Sequence, residues 1–315
     1  MKRTLKQSIE QQRESLEKSL ITPLAKIAFA SENVWPDRKK LDDVFLKYLD
    51  SIPNCTFLYA LDTNGIQISD NIAATGLLPE HFGRDRSQRP YMKELVPVSG
   101  FLLSEAYISL RVSRPSLTAL QVVRKDDEVV GFIGADFDLR NLPVTAEMYD
   151  EPAQWRQIKG DAAIRSTLFQ QTRADSLLDK EIDQVMSILE ELCVAHGMFQ
   201  SVIHFSSSRA TIWLMNDPYR YHILQADELS DPDICLAYPT HDYPKDALIP
   251  ANAINAIFNN MKQLRFTDEN IYLRSASINI FNGMVSLTFS CDGSHYMPYN
   301  EFIDKNINFW VGSSA

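Results

Sequence analysis

The chain has 315 residues, of which 45% are hydrophobic and 23% charged, a composition typical of globular domains and unlike that of disordered chains. Its formal net charge is −10, so we expect no binding to nucleic acid or to anionic membrane surfaces. The four cysteines are far apart and form no paired motif, which predicts free thiols in a reducing compartment.

The N-terminal region is predicted to be helical. Apolar residues from Leu5 to Ile27 recur every three, four or seven positions, which is the spacing of one face of an amphipathic helix that contains Pro23. A second helix is predicted from Asp37 to Leu49. The sequence has no signal-peptide pattern and no apolar run long enough to span a bilayer, so we expect a cytoplasmic protein without membrane contact.

Predicted strands follow the two helices. Residues 55–62 and 66–69 flank Thr63-Asn64-Gly65 and predict a hairpin, because an Asn-Gly pair tolerates positive φ. Residues 71–90 contain several glycines and prolines and are predicted to be a loop. Further strands are predicted at residues 107–109, 117–123 and 129–139.

The second half of the chain begins with a predicted helix from Ala162 to His196, which Gly197 ends. Another helix is predicted from Ala247 to Met261. The turn Asn282-Gly283 predicts a second hairpin. The predicted strands are residues 199–205, 210–215, 219–225, 275–281 and 284–290. The order of elements is broadly that of the first half, although no residue-level repeat is present.

Sequence motifs of the common enzyme classes are missing. The 11 glycines form no phosphate-binding loop and no nucleophile elbow, and the six histidines are dispersed. Cys193 and His196 share one face of a predicted helix, but two ligands do not make a metal site. We therefore expect no catalytic residue, no metal and no cofactor.

The segment from Gly83 to Tyr91 has an unusual composition, with three arginines and an aspartate next to an aromatic residue. Arginine presents a planar fork of donors that matches a carboxylate. Tyr91 adds an aromatic wall for a cation or an apolar group. The composition alone is also compatible with a solvated surface loop held by salt bridges.

Four segments between Phe57 and Pro143 carry a family resemblance, and they are Phe57–Gly65, Asp85–Tyr91, Ser104–Ser109 with Arg114–Thr118, and Val130–Leu139. In this order they resemble the opening hairpin, the arginine–proline–aromatic signature, the next strands and the closing strand of the Cache family. Cache domains, also called PDC-type domains, are the ligand-binding domains of bacterial chemoreceptors and sensor kinases.

The resemblance implies an α+β fold with a PAS-like antiparallel sheet and a long N-terminal helix, followed by a second α+β domain. We divide the chain into an N-terminal helical segment (1–36), a Cache-like sensor domain (37–145), a linker (146–161) and a C-terminal α+β domain (162–315). A second, degenerate PAS-like unit is left open for the C-terminal domain.

The resemblance also implies a ligand site. In the family, the signature arginine and aromatic hold a carboxylate, while a tyrosine and an aspartate on later strands meet an amine. The corresponding residues here are Arg89, Tyr91, Tyr107 and Asp136, with Arg86 and Asp138 as further candidates. Amino-acid-binding members have tryptophan and tyrosine where this chain has Tyr91 and Met92, so a small carboxylate or an amine is expected as the ligand.

These features predict a soluble sensor, not an enzyme, that binds a small carboxylate or amine and signals to an unidentified partner protein by a change of conformation. We expect a homodimer, because the apolar face of the N-terminal helix needs a partner surface, either in a second copy or in its own domain. The alternatives are an adaptor that keeps the fold without a ligand and an enzyme of unrecognised type.

Overall fold

The structure is a computed structural model that describes residues 4–93, 100–110, 113–142, 172–291, 293–305 and 309–310. The chain divides into two compact units. The N-terminal unit comprises residues 5–148, and the C-terminal unit comprises residues 149–315 with residues 1–4. Both units combine antiparallel sheets with helices, which confirms the predicted α+β class.

Two helices, α1 (Leu5–Ser31) and α2 (Arg38–Tyr48), begin the N-terminal unit. α1 contains Pro23 and buries the predicted apolar residues Leu16, Leu20, Leu24 and Ile27 against the sheet of its own unit. α1 is therefore part of this unit, whereas the sequence analysis treated residues 1–36 as a separate segment. α2 begins after Asp37, whose carboxylate accepts a hydrogen bond from the backbone N–H of Lys40.

The sheet of the N-terminal unit has seven strands, all antiparallel to their neighbours. Its elements are β1 (Phe57–Asp62), β2 (Asn71–Ala73), β3 (Gly76–Leu78), the short helix α3 (Pro90–Lys93), β4 (Phe101–Leu103), β5 (Tyr107–Ile108), β6 (Pro115–Lys125) and β7 (Glu128–Asp138). The strand order is β3-β2-β1-β7-β6-β4, and β5 also pairs with β6. The first and last strands therefore lie side by side in the middle of the sheet, and the long N-terminal helix that we predicted packs mainly on β6, with further contacts to β7 and β4.

The predicted strand at residues 66–69 is wrong. This segment forms only isolated bridges, and the chain pairs with β1 again at Ile72, inside the predicted loop. Two backbone hydrogen bonds join this segment to β1, from Asp62 to Ile66 and from Ile68 to Ala60, but the Ala60 N–H donates at 2.7 Å to the Ser69 hydroxyl instead of to a backbone carbonyl. β2 and β3 have only three residues each, which is too short for a periodic pattern to reveal them.

Two glycines let aromatic rings lie flat against β7. A Cβ atom at Gly134 would be 2.3 Å from the ring of Tyr59, and one at Gly131 would be 2.4 Å from the ring of Trp35. Larger residues would therefore displace these rings. Gly134 in particular allows the Tyr59 side chain to lie across the centre of the sheet.

The C-terminal unit has six strands in the order β10-β9-β8-β11-β12-β13. Its strands are β8 (Met198–His204), β9 (Arg209–Leu214), β10 (Asp217–Gln225), β11 (Leu273–Asn279), β12 (Met284–Phe289) and β13 (Ser294–Pro298). Its helices are α4 (Leu177–Lys180), α5 (Ile182–Ala195), α6 (Ala226–Leu229), α7 (Ile254–Phe266) and α8 (Tyr299–Asp304). α4 and α5 lie within the predicted helix from Ala162 to His196, of which residues 162–171 lie outside the described residues, as does the predicted linker.

The C-terminal unit does not repeat the connectivity of the N-terminal unit. After β3 the N-terminal chain crosses to the edge strand β4 and returns to the centre at β7, whereas after β10 the C-terminal chain enters the centre at β11 and moves out to β13. The idea of a second, degenerate PAS-like unit is therefore wrong, because the strands after the crossover run in the opposite order.

Within the described ranges, no helix combines the length and the apolar character that crossing a bilayer requires. No cluster of three or more histidine, cysteine, aspartate or glutamate side chains in those ranges is arranged to hold a metal ion.

Candidate functional site

A cavity of about 250 Å³ lies in the N-terminal unit. All six side chains that the sequence analysis singled out line it, and they are Arg86, Arg89, Tyr91, Tyr107, Asp136 and Asp138. The structure therefore places these residues, which are distant in the sequence, around one cavity. Its volume is below the roughly 300–1,000 Å³ of sites that hold drug-sized compounds, so it suits a smaller molecule.

Neighbouring strands and one covering segment bring these residues together. Asp136 and Asp138 are two positions apart on β7 and so lie on the same face of the sheet. Tyr107 lies on β5, opposite Ser116 of β6, and Thr118 of β6 lies opposite Asp136. Arg86, Arg89 and Tyr91 come from the segment between β3 and the end of α3.

Asp136 is held by hydroxyl groups from two strands. Its Oδ1 accepts a 2.8 Å hydrogen bond from the Tyr59 hydroxyl and a 2.7 Å bond from the Thr118 hydroxyl. The Tyr107 and Thr118 hydroxyl oxygens are 2.8 Å apart, and Tyr107 is the donor because the Thr118 proton points to Asp136. The carboxylate side chain keeps 18% of its surface exposed, on the side of the cavity.

Arg86 is buried, and polar partners hold its guanidinium on several sides. Nε donates to Gln67 Oε1 at 2.9 Å, Nη2 donates to Asn71 Oδ1 at 3.0 Å, and Nη1 is 3.4 Å from Asp136 Oδ2. The guanidinium also lies 3.7 Å from the centre of the Tyr59 ring. Arg86 is therefore a fixed part of the cavity wall, and Asp136 balances its charge.

Arg89 differs from Arg86 in having no polar partner for its side chain. It is half-buried and lines the cavity, and across the described residues its guanidinium makes neither a hydrogen bond nor an ion pair. Its backbone N–H donates to the Arg86 carbonyl at 2.9 Å, so a tight turn fixes the spacing between the two arginines. All five side-chain donors of Arg89 are consequently available to an anion.

Asp138 has a different role from Asp136. Both of its carboxylate oxygens accept hydrogen bonds of 2.8 Å from Nε of Arg140, and Nη2 of Arg140 is also in contact with it. Asp138 also accepts the backbone N–H of Arg140 at 3.1 Å. This carboxylate lines the cavity, but Arg140 already neutralises it, so Asp136 is the stronger candidate of the two for contact with a ligand.

Three tyrosines supply apolar surface and hydroxyl donors. Tyr91 is 1% exposed, and its ring centre is 6.0 Å from that of Tyr107. The hydroxyl groups of Tyr91 and Tyr59 are 3.2 Å apart. Burial, reinforced by the negative charge of Asp136, raises the pKa of all three hydroxyl groups, so they stay protonated at neutral pH.

The charge of the cavity is opposite to that of the whole chain. Among its lining residues that the structure describes, four are arginines and two are aspartates, which leaves two excess positive charges at neutral pH when His81 is neutral. The whole chain has a formal net charge of −10. The cavity is thus a local concentration of positive charge in an acidic protein, a pattern that attracts small anions.

The residues that support the site were not predicted from the sequence. They hold Arg86 and Asp136 in place, and they are Tyr59, Gln67, Asn71 and Thr118. Tyr59 lies in an otherwise apolar strand, where a buried tyrosine hydroxyl needs a partner, so a signal was present. Gln67 and Asn71 fall in irregular segments, where no pattern distinguishes a buried amide from an exposed one.

Comparisons with known proteins give matches among solved structures. No family model matches the chain, and no curated protein does. The sensory domain of the Campylobacter jejuni chemoreceptor Tlp3, solved with isoleucine bound, is 16% identical with a TM-score of 0.34, over 43% of this chain and 55% of that chain. The ligand-binding domain of the Pseudomonas fluorescens chemoreceptor CtaA, solved with L-valine, is 19% identical with a TM-score of 0.32, over 41% and 56%.

An extracellular ligand binding receptor from Desulfohalobium retbaense is 13% identical with a TM-score of 0.34, over 42% of this chain and 25% of that chain. The matched region thus spans between a quarter and just over half of the length of these three chains. These solved structures are described as a ligand-binding receptor and as sensory and ligand-binding domains of chemoreceptors.

Proposed function

We propose that the N-terminal unit is a receptor domain for a small organic anion and that binding is passed to a partner protein by a change of conformation. The observation that carries this proposal is the unpaired guanidinium of Arg89 on the wall of a positively charged cavity. A carboxylate placed against Arg89 gains a charge-assisted bidentate contact, which is the strongest polar interaction that the cavity offers.

The rest of the lining suits binding rather than chemistry. The hydroxyl groups of the lining tyrosines Tyr91 and Tyr107 keep their protons at neutral pH, because burial raises the pKa of each. They therefore act as hydrogen-bond donors and not as proton acceptors. Their rings also exclude water from the anion, which strengthens its attraction to Arg89.

We also propose that the protein is a homodimer. The buried face of α1 is covered by its own sheet, so a second copy would use the opposite face, where Ile21 is 39% and Phe29 74% exposed. Light scattering of the variant Phe29→Asp tests this. A wild-type dimer that becomes monomeric supports the interface, and a monomeric wild-type protein removes it.

We propose the cytoplasm as the compartment. Cys193 and Cys235 are buried free thiols, and burial raises the pKa of both, so they are unreactive in the folded protein. Thiol titration of the unfolded, unreduced protein should find all four cysteines reduced. Disulfides in material purified from the native host would point to an oxidising compartment instead.

A thermal-shift screen of small carboxylates, amino acids and amines, followed by calorimetric titration, tests the receptor function directly. Arg89→Ala should weaken binding of each active anion by roughly 2–5 kcal/mol, because the carboxylate loses its charged partner in a desolvated site. The apparent stability without ligand should barely change. Arg124→Ala is the matched control, since it removes the same charge from an exposed position outside the cavity lining.

Two results would contradict the receptor function. Binding that Arg89→Ala leaves intact would place the ligand elsewhere. A screen without any hit would favour the adaptor, which keeps the fold without a ligand, whereas turnover of a hit would favour an enzyme.

A further inference from the structure

We infer that the ligand of this cavity is an anion without an ammonium group, an inference that rests on the function proposed above. The position where an ammonium would meet Asp136 is already used by the guanidinium of Arg86. Three observations support this inference. They are the contacts of the Asp136 carboxylate, the contacts of the Arg86 guanidinium and the charge of the remaining lining residues.

The hydrogen-bonding capacity of Asp136 is largely taken up within the protein. Oδ1 accepts two hydroxyl donors at 2.8 and 2.7 Å, from Tyr59 and Thr118. Oδ2 faces Nη1 of Arg86 at 3.4 Å. An ammonium hydrogen-bonded to Oδ2 would therefore lie within about 6 Å of the Arg86 guanidinium, where two positive charges repel each other in a desolvated site.

Arg86 has no room to withdraw from an incoming ammonium. Its side chain is 6% exposed and donates to Gln67 and Asn71, and the amide of Gln67 donates to Asn71 at 2.8 Å. The guanidinium also stacks on Tyr59. Because both amides are themselves buried, displacing Arg86 would take the donor from Gln67 Oε1 and one of two donors from Asn71 Oδ1, which is costly in a buried site.

The charge of the remaining lining favours the same class of ligand. Asp136 is paired with Arg86, and Asp138 is paired with Arg140. Among the described lining residues, Arg89 can therefore still bind a negative charge, whereas no carboxylate is left to bind a positive one. A zwitterionic amino acid would satisfy Arg89 and place its ammonium in a positively charged cavity. A simple monocarboxylate or dicarboxylate satisfies Arg89 without that repulsion.

Calorimetric titration of the full chain with matched pairs tests this inference, since the members of each pair differ only in the α-ammonium group. The pairs are propionate with L-alanine, 4-methylpentanoate with L-leucine, and succinate with L-aspartate. In each pair that binds, the deaminated member should bind about ten-fold tighter or more, because it has no ammonium group for the positively charged lining to repel. Tighter binding of the amino acid would overturn the inference.

Two variants sharpen the test. Asp136→Asn keeps an acceptor for Tyr59 and Thr118 and removes a negative charge from the lining, so it should tighten the binding of the carboxylates. A loss of about ten-fold or more in the binding of the amino acids alone would show that Asp136 holds a ligand ammonium. Arg86→Gln should shift the preference toward the amino acid in each pair, because Asp136 loses its partner. Should Arg86→Gln fail to fold, the Asp136→Asn titrations still decide the question.

The controls separate this inference from the receptor function. If the protein binds the amino acids more tightly than the deaminated compounds, and Arg89→Ala abolishes that binding, the inference is wrong but the receptor function is supported. If no compound of the panel binds, both the inference and the receptor function are wrong.

Discussion

Arg265 and Asp179 of the C-terminal unit are joined by two hydrogen bonds of 2.8 and 2.7 Å, and both side chains are 1% exposed. Arg86 and Asp136 of the N-terminal unit are 3.4 Å apart, and the aspartate is 18% exposed toward a cavity. The first pair is closed to solvent and to any ligand. The second has looser geometry and an accessible carboxylate. The surroundings of an arginine–aspartate pair, and not its presence, therefore separate a pair closed within the core from a pair that lines a cavity.

The remaining contacts of each pair support this distinction. Arg265 also donates to the Leu273 carbonyl at 2.8 Å, and Asp179 accepts the backbone N–H of Ser176 at 2.9 Å. These bonds tie the pair to β11 and to the start of α4. The partners of Arg86 instead form the wall of a cavity, beside the unpaired guanidinium of Arg89.

The largest effect that we expect comes from replacing the carboxylate of each pair by an amide. Asp179→Asn should cost about 3–5 kcal/mol of stability, because it leaves Arg265 charged and buried without a counter-charge. Asp136→Asn should cost less, about 1–3 kcal/mol, because the asparagine oxygen still accepts the two hydroxyl groups and Arg86 keeps its bonds to Gln67 and Asn71. Urea unfolding, read by hydrogen exchange of peptides from β11 and from β7, measures the units separately. Equal losses would contradict the distinction between the two pairs.

A second difference between the units should appear with pH. Burial raises the pKa of Asp42 in the N-terminal unit to about 6. A carboxyl whose folded pKa is higher than its unfolded value stabilises the fold when protonated. Its contribution is therefore complete below about pH 4 and is lost as the pH rises to about 6, by on the order of 2–3 kcal/mol.

Asp179 should show the opposite dependence. Burial alone would raise its pKa, but hydrogen bonds from Arg265 and from the Ser176 N–H hold the pKa below its ordinary value. Its contribution is present above about pH 4 and is lost as the pH falls through the lowered pKa. Stability of each unit between pH 3 and 7 tests both signs. Asp42→Asn should remove the loss in the N-terminal unit between pH 4 and 6, and an unchanged profile would rule Asp42 out as its cause.

The smallest effects concern the helix caps, where the two units should behave alike. Ser176 accepts the backbone N–H of Asp179 at 3.1 Å, and Asp37 accepts that of Lys40 at 3.2 Å. Replacing either residue by alanine should cost about 0.5–2 kcal/mol. A much larger loss for Ser176→Ala would show that this cap also positions the Asp179–Arg265 pair, and double-mutant cycles would measure the coupling.

The fold could be predicted from the sequence where local patterns are long. The apolar face of α1 and the hairpin around Gly283 follow directly from spacing and from an Asn-Gly turn. β2 and β3 could not be predicted, because three residues show no period. The order of the strands in the second sheet was also out of reach, since similar sequences of elements are compatible with different crossovers.

The sequence allowed us to predict which residues line the cavity, but not which contacts each of them makes there. The family resemblance brought Arg86, Arg89 and both aspartates into one group. Which arginine is buried depends on Gln67 and Asn71, two amides whose burial no local pattern reveals. Likewise, Asp138 is occupied by an arginine only two positions away, a contact that depends on the turn after β7.

Hydrogen exchange with and without the tightest-binding anion of the panel tests the central claim most directly, because it reports both units in one experiment. We predict protection in residues 84–93, β1 and β7, no comparable protection in β8 to β13, and loss of the effect in Arg89→Ala. Protection confined to the C-terminal unit, or protection of residues 84–93 that survives in Arg89→Ala, would contradict the claim that Arg89 and its cavity form the receptor site.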